Sequence, residues 1–201
     1  MTIVVPTVHI VRTADTASAG AVLAAAFADD PVFVWMLPDA ERRVRVLPEV
    51  FALFVEAYAH LGASHIAGAA VALWAPPGRQ AVPDEAAEEF GWRIAELSGP
   101  DADRVFAVMA ALEPWHPHDP CHYLNLLGVD PAAQGRGLGS ALLATTLDRA
   151  DAAAEPAYLE ATSPDNRRLY ERHGFGTVGE IVVPGGPTLW SMWREPRHVR
   201  R

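Results

Sequence analysis

The chain has 201 residues, half of them hydrophobic, and this length and composition allow one packed domain. Its formal net charge of −9 argues against a nucleic-acid partner and weakly favours cationic ligands such as amines. The first residues lack the basic region and the apolar stretch of a signal peptide, and no run approaches the roughly eighteen apolar residues of a membrane span. The single cysteine excludes an internal disulfide. We therefore expect a cytoplasmic protein without membrane contact.

The first part of the chain alternates short strands with helices. Apolar residues at helical spacing, such as Val46, Val50 and Tyr58, indicate the longest helix. The predicted elements are a strand at 8–12, helices at 16–28 and 42–60, strands at 64–66 and 69–74, and helices at 84–97 and 101–112. Segment 29–38 is interpreted as a loop between the first two helices.

The second part of the chain begins with an apolar strand that ends at Asp130-Pro131, because proline cannot donate to a strand ladder. The predicted elements are that strand at 123–129, a helix from 138 to about 153, a strand at 157–161, a helix at 166–173, and a hairpin of strands at 177–183 and 188–194. This mixed order favours an α/β sandwich around a central mixed sheet.

A glycine-rich turn, Gln134-Gly-Arg-Gly-Leu-Gly-Ser140, joins the first of these strands to its helix. Its glycines let successive backbone N–H groups face one point at the helix N-terminus, which is typical of a phosphate site. A Walker loop is excluded because it needs a lysine and the chain has none. A dinucleotide fingerprint with Glu160 as its acidic residue is disfavoured, since its third glycine is missing and only about 40 residues follow Glu160.

Gln134-x-x-Gly137-x-Gly139 resembles the acetyl-CoA-binding motif of the GNAT superfamily of N-acetyltransferases. A second block at 158–175 is similar to the family's later strand, loop and helix, which carries Asn, Tyr and a closing Gly-Phe. Residues 182–190 resemble the puromycin N-acetyltransferase branch.

The resemblance covers about residues 121–194 and implies an α/β, GNAT-like fold with a central mixed, mostly antiparallel sheet flanked by helices. It implies one domain over 1–201, with an acceptor-side half at 1–120 and an acetyl-CoA-binding half at 121–201.

The resemblance also implies acetyl-CoA as co-substrate, without a metal. The residues carried over to the cofactor site are Leu127, Val129, Gln134, Gly135, Arg136, Gly137, Leu138, Gly139, Ser140, Asn166 and Tyr170. Leu127 and Val129 are expected to act through their backbones, by pairing with the pantetheine amides. Arg136 reaches a phosphate or is solvated, and Asn166 contacts the cofactor or caps its helix.

Acetyl transfer to an amine requires a base for the amine and a proton for the leaving thiolate. Tyr170 is the predicted acid, because it lies four residues after Asn166 on the same helix face; the alternative is an aromatic that only packs. Candidates for the base are Glu113, His116, His118, Asp119, His122 and Glu160.

His122 shares a face with Leu124 and Leu126 if the strand is regular, which places it over a cleft or in the core. The cluster of His116, His118, Cys121 and His122 lacks a standard zinc spacing, so no metal site is predicted.

Phe33 and Trp35 are predicted to line the acceptor pocket, since segment 29–38 lies where this superfamily forms that pocket. The predicted function is acetyl-CoA-dependent N-acetylation of a primary amine of a small molecule, by direct attack in a ternary complex. A homodimer is a possible assembly. Two alternatives stay open: acetylation of a protein N-terminus or lysine, and a non-catalytic acyl-CoA-binding or sensing module.

Overall fold

A computed structural model describes residues 7–197. Within them the chain forms seven strands and seven α-helices. The strands are β1 (His9–Ile10), β2 (His65–Ile66), β3 (Ala70–Ala75), β4 (His122–Val129), β5 (Ala157–Ala161), β6 (Gly176–Val182) and β7 (Thr188–Arg194). The helices are α1 (Thr16–Phe27), α2 (Pro31–Met36), α3 (Ala40–Ala59), α4 (Ala87–Ser98), α5 (Ala102–Leu112), α6 (Leu138–Ala153) and α7 (Pro164–Arg172).

The strands form one sheet in the order β1-β2-β3-β4-β5-β7-β6. Only β4 and β5 are parallel, and every other neighbouring pair is antiparallel. The predicted fold class, an α/β GNAT-like fold with a mixed and mostly antiparallel sheet, is therefore confirmed.

A β-bulge interrupts β4 at its centre. Leu126 pairs with Leu73 of β3 and Leu124 pairs with Trp74, so Asn125 is an extra residue on β4. Leu124 consequently packs into the core on the α6 side of the sheet, whereas Leu126 packs into the core on the α1 side. A regular strand would have put both leucines on one face.

β4 and β5 are neighbours only at their beginnings. Their parallel pairing joins residues 122–124 to 157–159. Beyond that point β5 continues beside β7, while the second half of β4 pairs only with β3. One edge of β4 from residue 125 to residue 129 therefore lies open, and an extended ligand can add to the sheet there.

Helices cover both faces of the sheet. On one face α1, α2, α3 and α5 enclose a core that contains Leu23, Leu47 and Phe51, and on the other face α6 and α7 enclose a core that contains Leu142. α1 crosses β4 at Gly128, where an added Cβ would lie 2.9 Å from the Leu23 side chain. A larger residue at position 128 would push α1 away from the sheet.

One predicted loop is a helix. Segment 29–38 contains α2, which begins because Asp30 accepts a hydrogen bond from the Val32 backbone N–H (2.9 Å) and Pro31 occupies the first helical position. The other predicted helices and strands are present, with ends shifted by a few residues.

The N-terminal hexapeptide, on which the argument against a signal peptide partly rests, lies outside the described residues. Between residues 7 and 197, no helix combines the length and the apolar character needed to cross a membrane.

Candidate active site

Two cavities meet beside the second half of β4. The first, about 420 Å³, lies between α1, β4, the start of α6 and α7, and we call it the glycine cavity. Every residue predicted to bind the cofactor lines it, except Arg136. Asp30 and Arg172 complete its polar lining.

The glycine-rich turn forms an open cradle at the N-terminus of α6. Gly135 and Gly137 have φ of 73° and 80°, in the left-handed region that L side chains rarely adopt, and an added Cβ at either would meet nothing within 4 Å. No side chain caps α6 at Gly137, so the first-turn N–H groups have no capping acceptor. These donors and the helix dipole fit the pyrophosphate of a coenzyme A molecule.

Two side chains of the cradle bond to their own loop. Gln134 Nε2 donates to the Val129 carbonyl oxygen (3.2 Å), which ties the turn to the end of β4. Arg136 donates to the Ala132 carbonyl oxygen (3.1 Å) and remains exposed. Arg136 is therefore an exposed side chain that also bonds to its own loop, which agrees with the solvated alternative; its contact with a phosphate stays a prediction.

The helices on either side of the cradle are held together. A ring nitrogen of His173, at the end of α7, lies 3.0 Å from the Ser140 hydroxyl of α6. Arg194 donates to the His173 carbonyl oxygen (3.0 Å) and makes two bonds of 2.7 Å to Asp151 of α6. These hydrogen bonds hold the pKa of Asp151 below its usual value. The ion pair thus links β7, α6 and α7 behind the cradle.

The second cavity, about 150 Å³, lies between the sheet and α2, α3, α4 and α5, and we call it the apolar cavity. Phe27, Phe33 and Phe51 form a cluster with ring centroids 5.1 to 5.4 Å apart, and all three line this cavity. Its walls therefore exclude water over most of their surface.

Of the two aromatics predicted to line an acceptor pocket, Phe33 lines the apolar cavity and Trp35 does not. The Trp35 indole N–H donates to the Gly185 carbonyl oxygen (2.9 Å), and its ring packs against Gly186 in the β6–β7 turn. Trp35 lies outside the lining of the apolar cavity, because successive residues of α2 point in different directions. Trp35 instead fastens the hairpin to α2.

The two cavities share four lining residues: Phe27, Leu127, Asn166 and Tyr170. Asn166 and Tyr170 lie one turn apart on α7, so both side chains reach the same point. A group bound along the open edge of β4 can therefore meet a group bound in the apolar cavity at these four residues.

A chain of hydrogen bonds positions Asn166. Its Nδ2 donates to the Thr162 hydroxyl oxygen (3.1 Å), and that hydroxyl donates to the Asp30 carboxylate. The helix cap is Ser163, whose hydroxyl accepts from the Asn166 backbone N–H (3.2 Å). The Asn166 side chain is thus free of the capping role and belongs to the site.

The Tyr170 phenol is 7% exposed and lies where the cavities join. Burial, with a smaller contribution from the charge of Asp30, raises the pKa of Tyr170 above its usual value. The phenol therefore stays protonated across the physiological range. Burial also raises the proton affinity of a thiolate in the same site.

Glu160 is the ionisable group of the apolar cavity. Its carboxylate accepts a hydrogen bond from the Tyr123 phenol (3.0 Å), and Asn125 at the β-bulge donates to the same phenol oxygen (3.1 Å). Burial raises the pKa of Glu160 from 4.5 to about 7, although the Tyr123 hydrogen bond opposes the rise. A carboxyl with this pKa exchanges protons near neutral pH.

Two other predicted bases are not brought to either cavity. Glu113 lies exposed in the turn after α5. His122 is buried on the α6 side of the sheet, with Nε2 2.8 Å from a carboxylate oxygen of Glu155. Because β4 alternates its side chains up to the bulge, His122 shares the α6-side face of Leu124, and it is not among the residues that line the apolar cavity.

The remaining candidates line a third cavity, which shares Phe54 and Tyr123 with the apolar cavity. They are His116, His118 and Asp119. The His116 ring stands edge-on to Tyr123 with centroids 4.8 Å apart. Among the residues that the structure describes, no group of three His, Cys, Asp or Glu side chains could hold a metal ion.

The structure adds four site residues that the sequence argument missed: Asp30, Tyr123, Asn125 and Thr162. Asp30 had a usable signal, because Asp before Pro is a common helix start. The other three depend on the bulge in β4 and on the meeting of distant segments, for which the sequence carries no local signal.

Curated proteins of known family resemble the chain over different lengths. Mycothiol acetyltransferase of Mycobacterium avium (strain 104) is 47% identical over 98 residues, which cover 44% of this chain and 25% of that protein. The chain thus spans about a quarter of the length of that relative. An uncharacterised N-acetyltransferase of Schizosaccharomyces pombe is 29% identical over 180 residues, or 82% of this chain and 72% of that protein.

Solved structures resemble nearly the whole chain. The crystal structure of histone acetyltransferase HPA2 and related acetyltransferase from Corynebacterium glutamicum has a TM-score of 0.72 and 31% identity, covering 98% of this chain and 99% of that one. Drosophila melanogaster polyamine N-acetyltransferase, at 17% identity, has a TM-score of 0.62 over 94% of this chain and 99% of that one, which shows the shared fold.

A sequence model described as the Acetyltransferase (GNAT) family matches residues 64–175, more than half of the chain. That range contains the glycine-rich turn and all of α7. The finer resemblance to the puromycin branch stays a prediction. The cradle at α6, the open edge of β4 and these matches agree, and the chain is a member of the GNAT acetyltransferase family.

Proposed function

We propose that this acetyltransferase transfers the acetyl group of acetyl-CoA to a primary amine of a small molecule, by direct attack while both substrates are bound. One observation carries the proposal. The cavity that holds the glycine cradle and the cavity that holds an ionisable carboxyl meet at Tyr170, Asn166 and Leu127. In this proposal residues 121–201 bind the donor and residues 1–120 form most of the acceptor side.

The glycine cavity is the proposed donor site. The cradle N–H groups bind the pyrophosphate, and the open edge of β4 at Leu127 and Val129 pairs with the pantetheine amides. Acetyl-CoA supplies the thioester, whose acetyl group then lies at the junction of the cavities. The extra residue of the β-bulge leaves backbone donors out of the ladder at this junction, and these would stabilise the oxyanion that develops during attack.

Glu160 is the proposed base. An alkylammonium has a pKa near 10 and must lose a proton before its nitrogen can attack. Glu160 accepts this proton, because burial sets its pKa near the working pH. The Tyr123 phenol orients the carboxylate and links it to the third cavity, through which the proton can leave to solvent.

Tyr170 is the proposed acid. As the C–S bond breaks, the sulfur takes up the electron pair, and Tyr170 donates a hydrogen bond or its proton to the thiolate. Asn166, held by Thr162, lies on the same helix face and orients the reacting groups.

The small volume of the apolar cavity favours a small acceptor over a protein chain. Six helices and the sheet line a volume of only about 150 Å³. A protein N-terminus or a lysine tail needs an open groove to seat the residues beside it. The names of mycothiol acetyltransferase and of polyamine N-acetyltransferase support small acceptors among relatives and structural neighbours.

The test measures thiol release from acetyl-CoA with a panel of amines, for the wild-type protein and Tyr170→Phe, after calorimetry has shown acetyl-CoA binding. We expect turnover to fall by about one to two orders of magnitude in the variant with binding intact. Equal turnover in both proteins would remove the acid role from Tyr170. Absence of acetyl-CoA binding would refute the donor site.

A further inference from the structure

We propose that the acceptor is a primary amine with a single cationic centre and an apolar body about the size of a phenyl ring. This inference rests on the proposed function, because it names the substrate class of the same site. It follows from how polarity and charge are distributed in the apolar cavity.

The polar and apolar linings of the cavity are segregated. Apart from Ser98 at the end of α4, its hydrogen-bonding side chains come from β4, β5, Thr162 and α7, and two of them, Asn166 and Tyr170, also line the glycine cavity. The opposite side is built from helices, with Ile94 of α4 and Val105 and Val108 of α5. An acceptor therefore places its nitrogen at the sheet and its body among the helices.

The charged side chains place a second restriction. Among the lining residues Glu160 is the only carboxylic acid and there is no basic side chain. A second ammonium or guanidinium at the far end of the acceptor would lie against Val105, Val108 and Ile94, with no carboxylate among the lining residues to pair with it. The cavity thus selects against diamines and other polycations.

The volume sets the size of the apolar body. A cavity of about 150 Å³ lined by aliphatic and aromatic side chains has the capacity to bind benzene. A phenyl ring or a chain of about six carbons would fill it. Each methylene added up to that length should raise kcat/KM by roughly fourfold, since its transfer from water is worth about 0.8 kcal/mol.

The first experiment compares kcat/KM for ethylamine, butylamine, hexylamine, phenethylamine and 1,6-diaminohexane by thiol release from acetyl-CoA. We expect a rise with chain length to hexylamine, a high value for phenethylamine, and at least about a hundredfold preference for hexylamine over its diamine analogue. Equal values for hexylamine and 1,6-diaminohexane would overturn the inference while the proposed function stood. If no amine were acetylated, both would fall.

Two variants test the location of the apolar body. Met109 lines the cavity and is 40% exposed, so Met109→Glu puts a carboxylate at its outer side. This change should narrow the preference for hexylamine over the diamine roughly fivefold to tenfold. Val44→Glu, on an exposed position of α3 outside the lining, adds the same charge and should leave the preference unchanged. Equal effects of the two substitutions would contradict the location.

A binding measurement gives a readout that does not depend on turnover. Saturating toluene should raise the unfolding midpoint of the protein in the absence of acetyl-CoA, and Val108→Phe should abolish that rise by filling the cavity. A wild-type midpoint unaffected by toluene would overturn the size argument. An undiminished rise in a folded Val108→Phe protein would do the same.

Discussion

Replacement of Glu160 by Gln should lower activity and raise stability in the same protein. The variant loses the proposed base, so we expect kcat/KM to fall by about two to four orders of magnitude. In the wild type, kcat/KM should fall tenfold per pH unit below about pH 7, because protonation of Glu160 removes the base. The variant should show no such dependence in that range.

The stability gain follows from the raised pKa. Below pH 4.5 the carboxyl is protonated in both the folded and the unfolded chain, so its burial has no ionisation cost. Between pH 4.5 and about 7 the unfolded chain ionises first, and the wild type loses stability as pH rises. Above pH 7 the loss is complete. A rise from 4.5 to about 7, at 1.36 kcal/mol per pH unit, amounts to about 3 kcal/mol.

Urea unfolding of wild type and Glu160→Gln at pH 8 and pH 5 measures this gain. We expect the variant to be more stable by up to about 3 kcal/mol at pH 8 and by less than about 1 kcal/mol at pH 5. Glu180→Gln, on an exposed position of β6, is the matched control and should change neither stability nor activity. Full activity in Glu160→Gln, or a stability change that is equal at both pH values, would refute the reasoning.

Three other substitutions test the cradle and its supports. Gly137→Ala should weaken acetyl-CoA binding by about tenfold in calorimetry, because a Cβ enters the open cradle at a left-handed backbone position. Gly62→Ala is the control: it also places a Cβ at a left-handed position, but outside the site, and should leave the affinity for acetyl-CoA unchanged. Asp151→Asn should cost about 3 kcal/mol in urea unfolding, since it leaves the buried Arg194 guanidinium without its partner charge; a cost below 1 kcal/mol would show that the pair is not needed. Asp30→Ala should lower the free energy of unfolding by about 1 to 2 kcal/mol, because it removes the α2 cap and the hydrogen bond from Thr162. Asp30→Asn can still cap α2 and should recover most of this stability. Failure to recover it would show that the carboxylate charge itself is required.

The sequence predicted most of the residues that line the glycine cavity, because most of them are contiguous. The turn from Gln134 to Ser140 joins a strand to a helix, and helix geometry places Asn166 and Tyr170 on one face. Local rules determine all of these positions. Arg136 is the exception, since a long exposed side chain can bond to its own loop.

The acceptor side could not be predicted from local patterns. The apolar cavity takes its walls from segments between Phe27 and Leu189, and no spacing rule states which of them meet. The position of His122 depended on the β-bulge at Asn125, which puts its side chain on the face of Leu124 and not on that of Leu126, whereas Glu113 and Glu160 lie on other segments. A single inserted residue changes that outcome without leaving a sequence signature.

The two cavities share only Phe27, Leu127, Asn166 and Tyr170, and this separation bears on how such enzymes diversify. The lining of the apolar cavity from Phe27 to Phe54 precedes the segment 64–175 that the family model matches, whereas the cradle lies inside that segment. Substitutions in α2 and α3 can therefore reshape the apolar cavity without touching the cradle. Under the proposed function, such substitutions would alter the choice of acceptor and leave the coenzyme A contacts in place.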